Sequence, residues 1–76
     1  MGLDEGVWQA RGRDAYASDR SAGFSSAPSA DAARKTLVFL FFDDLGRLSV
    51  HETEYALALA IGAYLEAHRE EMGTAR

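Results

Sequence analysis

Asp43, Asp44, Glu52, His51 and His68 are the residues best suited to hold a metal or move a proton. Asp43 and Asp44 close the stretch KTLVFLFFDDLG, residues 35–46, directly after six bulky apolar residues, Leu37 to Phe42. His51 and Glu52 follow soon after. On one helix His51 and His68 would lie about 25 Å apart, at 1.5 Å per residue, so they do not make a common site. No serine or lysine stands in a nucleophile constellation, and there is no cysteine. No glycine-rich phosphate loop is present. These features name no catalytic residue, no metal ligand and no cofactor, and point away from an enzyme.

The stretch VFLFFDDLGRLSVHE resembles part of an EF-hand. Phe39 and Phe42 stand where the entering helix carries aromatics, and Asp43 occupies the place of the first loop ligand. Gly46, Leu48 and Glu52 match the loop's glycine, central apolar residue and final glutamate. The span from Asp43 to Glu52 is ten residues, against about twelve for a calcium loop, so the middle ligands are missing. The resemblance implies a degenerate, metal-free regulatory module that is wholly α-helical. An apolar strand ending in Asp-Asp is also similar to the magnesium-binding strand end of phosphotransfer folds. Those folds need several strands and catalytic groups from distant loops, for which this chain has no room.

The elements that would position these residues fall into two unequal halves. With 76 residues the chain holds at most one small domain, and without cysteine no disulfide reinforces it. Residues 1–36 carry five basic and five acidic side chains, whereas residues 37–76 carry three and seven, so the net charge of −4 sits in the second half. That balance, without a basic stripe, disfavours nucleic acid. The start MGLDEG lacks the Ser or Thr at position 6 that favours myristoylation. No apolar run approaches membrane-spanning length and no signal-like start is seen, so a cytoplasmic location off the membrane is expected.

Residues 1–33 combine Gly, Ala, Ser and Asp with scattered apolar side chains. This predicts a flexible tail, or one that orders on a partner through Trp8, Tyr16 and Phe24. Residues 34–73 form the expected folded unit, with 74–76 as its end. The run Leu37–Phe42 is rich in aromatics and predicts a strand. Asp43–Gly46 predicts a turn with Gly46 left-handed, and Arg47–Val50 a short return strand. Ser49-Val50-His51-Glu52 fits a capping box and predicts a helix from about Ser49 to Met72, closed by Gly73. The fold class expected is therefore α+β: a disordered N-terminal tail, one apolar strand or short β-hairpin, and one long C-terminal helix. The alternative is an all-α, EF-hand-like helix pair.

Such a strand would bury Leu37, Phe39 and Phe41 on one face and Val38, Leu40 and Phe42 on the other. One helix covers only one face. On the helix, Ala56, Ala60, Ala63 and Ala67 form a small-residue stripe where a second helix could approach. The expected interface thus comprises residues 37–42, the four alanines and Trp8. The expected function is that of a small non-catalytic protein-binding protein, an accessory subunit, adaptor or inhibitor. The alternatives are an obligate homodimer whose assembled form carries the activity, and the EF-hand-type regulatory module. The partner is another protein or a second copy, not nucleic acid or membrane.

Overall fold

The computed structural model describes residues 3–74 and, among them, contains four α-helices and no strand. α1 spans Glu5–Ala22, α2 Ala30–Leu40, α3 Phe42–Gly46 and α4 Val50–Thr74. α4 is the spine. α1 and α2 pack along it and against each other, and the short α3 sits at the end of α2. The 25 residues of α4 set the long axis of a body measuring 43 × 21 × 16 Å. No helix of the described residues is long and apolar enough to cross a membrane. The α+β expectation is corrected to all-α, the class of the alternative, with four helices rather than a pair.

α1 and the first turn of α2 stand where a flexible or partner-ordered tail was expected over residues 1–33, of which residues 1–2 lie outside the described residues. Asp4 starts α1 as N-cap, its Oδ1 accepting from the Val7 amide at 3.2 Å, and Glu5 places negative charge in the first turn. Gly23 ends it in the left-handed region (φ 88°), its amide donating to the Arg20 carbonyl at 3.1 Å. The Phe24 amide donates to Asp19 at 2.9 Å, completing a Schellman-type closure. The buried face is Trp8, Gly12, Ala15 and Tyr16. This is helical spacing built partly from residues with little or no side chain, so counting bulky apolar positions shows no period. Trp8 and Tyr16 find ring partners inside the chain: Trp8 with Phe41 at 6.1 Å, and Tyr16 with Tyr64 at 5.4 Å and Phe24 at 5.6 Å.

The run Leu37–Phe42 is not a strand. It is the C-terminal end of α2 and the start of α3. Pro28 precedes the helix, Ser29 caps it by accepting from the Ala32 amide at 3.2 Å, and Asp31 lies in its first turn. Ala30, Ala32, Ala33, Arg34 and Lys35 are good helix formers and carry the helix into the apolar run. A lone strand would leave its backbone groups without partners, whereas a helix satisfies them internally. Phe41 breaks the run (φ −120°, ψ 31°), and its amide still donates to Leu37 at 2.9 Å. The expected turn at Asp43–Gly46 is the helical turn α3, and Gly46 is not left-handed. The return strand expected at Arg47–Val50 is instead the connection 47–49 and the first residue of α4.

α4 begins with the expected capping box. The Glu52 amide donates to Ser49 Oγ at 3.2 Å, and the Ser49 amide donates to Glu52 Oε1 at 3.0 Å. At the other end Gly73 lies within the helix, which runs on to Thr74, so the expected left-handed stop is absent. The core is small and alanine-rich. Ala15, Ala33, Ala56 and Ala60 are fully buried, and Leu37, Leu57 and Tyr64 are the largest side chains wholly inside. Small residues let the helix backbones approach closely, Gly12 of α1 against Ala60 of α4.

Candidate functional site

Helical winding divides the expected interface residues between two faces. Ala33 and Leu37 turn inward, and Phe41 packs partly against Trp8. Arg11 lies over both rings, 4.6 Å from Trp8 and 5.0 Å from Phe41, and also pairs with Asp44 at 3.1 Å. Trp8, Leu37, Ala56 and Ala60 are buried within the single chain, while Ala63 and Ala67 are half-buried. The second helix that meets the alanine stripe is α1 of the same chain, with Gly12 against Ala60.

The other face of α2 and α3 stays open. Phe39 is 82 % exposed and Phe42 69 %, with Leu40 also exposed and Val38 half-buried. Arg34, Lys35, Val38, Phe39 and Phe42 line an open depression of about 490 Å³. Lys35, Val38 and Phe39 stand at i, i+3 and i+4 on α2, one helical stripe, and Phe42, at the start of α3, joins them in lining the depression. Arg34 and Lys35 are the members that the strand expectation misses. Their signal was present in that spacing and appears once the run is read with a period of 3.6. Arg34 is paired with Glu54 at 3.3 Å across to α4.

A second cluster is polar and ties the three long helices together. Asp19 of α1 accepts at Oδ2 from Thr36 of α2 and from Tyr64 of α4, each at 2.6 Å. Burial and the Asp19 carboxylate push the Tyr64 phenol well above its ordinary value. Nearby, Tyr16 donates to Glu71, and its hydroxyl lies 3.3 Å from His68 Nδ1. Burial, then the Glu71 hydrogen bond, raises the Tyr16 phenol too. Arg13 grips Glu70 with two parallel bonds of 3.0 and 3.2 Å and holds that carboxyl below its usual range. These groups are paired with one another across helix contacts, an arrangement that fixes the relative placement of helices. Arg13, Tyr16, Glu70 and Glu71 of this cluster also line an open depression of about 470 Å³.

The acids that carried the EF-hand resemblance do not converge. Asp43 lies in the first turn of α3, Asp44 is held by Arg11 and Arg47, and Glu52 is spent on the α4 cap. Among the described residues no three His, Asp or Glu side chains come together as a metal-binding group. The strongest candidate site is therefore the exposed apolar face of α2 and α3. No family model matches this chain, and neither the curated proteins nor the solved structures yield a relative of it.

Proposed function

We propose that this chain is a small non-catalytic binding protein that docks another protein chain on the α2–α3 face. One observation carries this reading: Phe39 and Phe42 stand largely in water and line one open depression together, whereas Val50 and Met72 are exposed elsewhere on the chain. Burying a phenylalanine is worth about 1.5–3 kcal/mol, so leaving both exposed forfeits several kcal/mol of available stabilisation. A chain with so small a core has little reason to keep them outside unless a partner covers them. Aromatics in a depression are also a common anchor of protein interfaces. The packed body behind them is a rigid support, so binding orders few new residues.

The test is site-specific photo-crosslinking in the cells that produce the protein. A photoreactive residue at Phe39 or Phe42 should give a discrete protein adduct, and one at Ala17, exposed on α1, should give none. Phe39→Ser/Phe42→Ser should keep the helical spectrum and lose the adduct formed from a neighbouring photoreactive Val38. Absence of any adduct from positions 38, 39 and 42 would end this reading.

A further inference from the structure

We infer that Arg11 of α1 is the positioning residue of the α2–α3 face: it latches the short helix α3 across the helix break at Phe41 and so holds Phe42 in the wall of the depression; this rests on the docking role proposed above. The depression straddles that break. Arg34, Lys35, Val38 and Phe39 line it from α2, and Phe42 lines it from α3. Its shape therefore depends on how α3 is set against the end of α2. α3 has five residues, too few for a helix to hold its own conformation in water. Its N-cap residue, Phe41, gives it no side-chain bond.

Leu45 pins α3 to the body at one point. Its side chain is buried in the core, and its carbonyl accepts from the Thr53 hydroxyl at 3.3 Å. A single turn pinned at one residue can still swing and carry Phe42 with it. Arg11 supplies the second point. Its guanidinium lies 4.6 Å from the Trp8 ring centre and 5.0 Å from that of Phe41, and it pairs with Asp44 Oδ2 at 3.1 Å. It thus grips the break and α3 together. A flat guanidinium stacks on rings and pairs with a carboxylate at the same time, a geometry that a lysine ammonium does not match. The latch is also sheltered. The Arg11 side chain is 28 % exposed, less than that of any other arginine in an ion pair among the described residues. Salt screens such a pair less than an open one. Asp44 also meets Arg47 at 3.7 Å, but that contact is local and does not tie α3 to another helix. A face already held in its binding shape gives up less freedom on docking.

Nitrogen-15 relaxation of the full chain tests the latch without any partner. In the wild type the amides of residues 42–46 should have order parameters near about 0.85, like those of α2. Arg11→Met and Asp44→Ala should each lower them to about 0.6 or less and leave residues 30–40 unchanged. Asp44→Ala leaves Arg11, Trp8 and Phe41 in place, so it carries the test should Arg11→Met fail to fold. Arg47→Ala removes only the local contact and should leave α3 as ordered as in the wild type. A wild type already mobile over 42–46 overturns the inference. So does an Asp44→Ala chain whose α3 stays rigid, or an Arg47→Ala chain that loosens α3 as much as Asp44→Ala does. In cells, the adduct from a photoreactive Val38 should fall about fivefold or more in Asp44→Ala, and an unchanged yield also overturns the positioning role. The two readouts keep this inference apart from the docking role. A rigid α3 in Asp44→Ala, with adducts still formed, removes the latch alone. A loosened α3 in a chain that gives no adduct from positions 38, 39 and 42 removes the docking role and leaves the latch standing.

Discussion

Gly12 of α1 lies so close to Ala60 of α4 that a methyl group on Gly12 would stand 2.0 Å from the Ala60 carbonyl oxygen and 2.8 Å from its carbon. The obstacle is helix backbone, which cannot rotate away as a side chain can. The absence of a side chain at position 12, combined with the alanine stripe, sets the spacing of the two longest helices.

Gly12→Ala should therefore force α1 off α4 and cost about 1–3 kcal/mol or more, as overpacking does. Gly62→Ala is the internal control. Nothing lies within 4 Å of a methyl group there, and the position is inside α4. Relief from glycine's helix penalty should stabilise the chain by about 0.5–1 kcal/mol. Urea unfolding of both variants measures the pair, and opposite signs are expected from the same chemical change.

The Asp19–Tyr64 bond leads to an alkaline limit. Tyr64 has a raised pKa in the folded state, and an unfolded tyrosine titrates near about 10. A group raised on folding contributes stability that is complete below its unfolded pKa and is lost as pH rises above it. The wild type should thus lose stability progressively above pH about 10. Tyr64→Phe should be less stable at neutral pH by about 1.5–3 kcal/mol, the range for a hydrogen bond to a charged group, and should show a flatter alkaline profile. Tyr16 and Tyr55 are raised as well and should leave a residual slope. Thermal melts from pH 7 to 11.5 give both quantities.

At the acid end the sign reverses. Arg13 holds the Glu70 carboxyl low, so this pair's contribution is present above the ordinary carboxylate range and fades as pH falls through it. The pair is exposed and accessible to salt, so the effect on global stability should be small. The cleaner readout is the Glu70 carboxyl itself, followed by carbon-detected NMR titration. In Arg13→Gln its midpoint should move up toward the ordinary value, and in the wild type added salt should move it the same way.

How much of this was legible in the sequence varies by element, for physical reasons. The start of α4 was plain, because Ser49 and Glu52 cap it with local bonds that depend on no tertiary partner. α1 was hidden. Its buried face uses Gly12 and Ala15, which offer no hydrophobic signal but allow the closest approach, and its most useful polar residue, Asp19, acts through helices far away in sequence. The caps Asp4 and Gly23 were the available signs. The apolar run misled because six consecutive apolar residues have no period of their own, and its helical phase is set by Ala33 upstream and Phe41 downstream. The exposure of Phe39 and Phe42 follows only once that phase is known.

The same phase supplies the sharpest test of the fold. In a strand, Leu37 and Phe39 share one face and would respond alike to substitution. In α2 they lie on opposite sides, Leu37 fully buried and Phe39 in water. Leu37→Ala removes a core side chain that contacts cannot fully refill and should cost about 2–5 kcal/mol. Phe39→Ser, measured at concentrations where the chain is monomeric, should change stability by no more than about 0.5 kcal/mol, as exposed positions do. A small loss of helix propensity accounts for most of that, and it comes close to the C-terminal end of α2, where the helix is already ending at Phe41. Chemical denaturation of the two variants at about 1 μM decides between the geometries. Equal large losses would restore the strand, whereas a severalfold difference in cost fixes Leu37 as core and leaves Phe39 free for a partner.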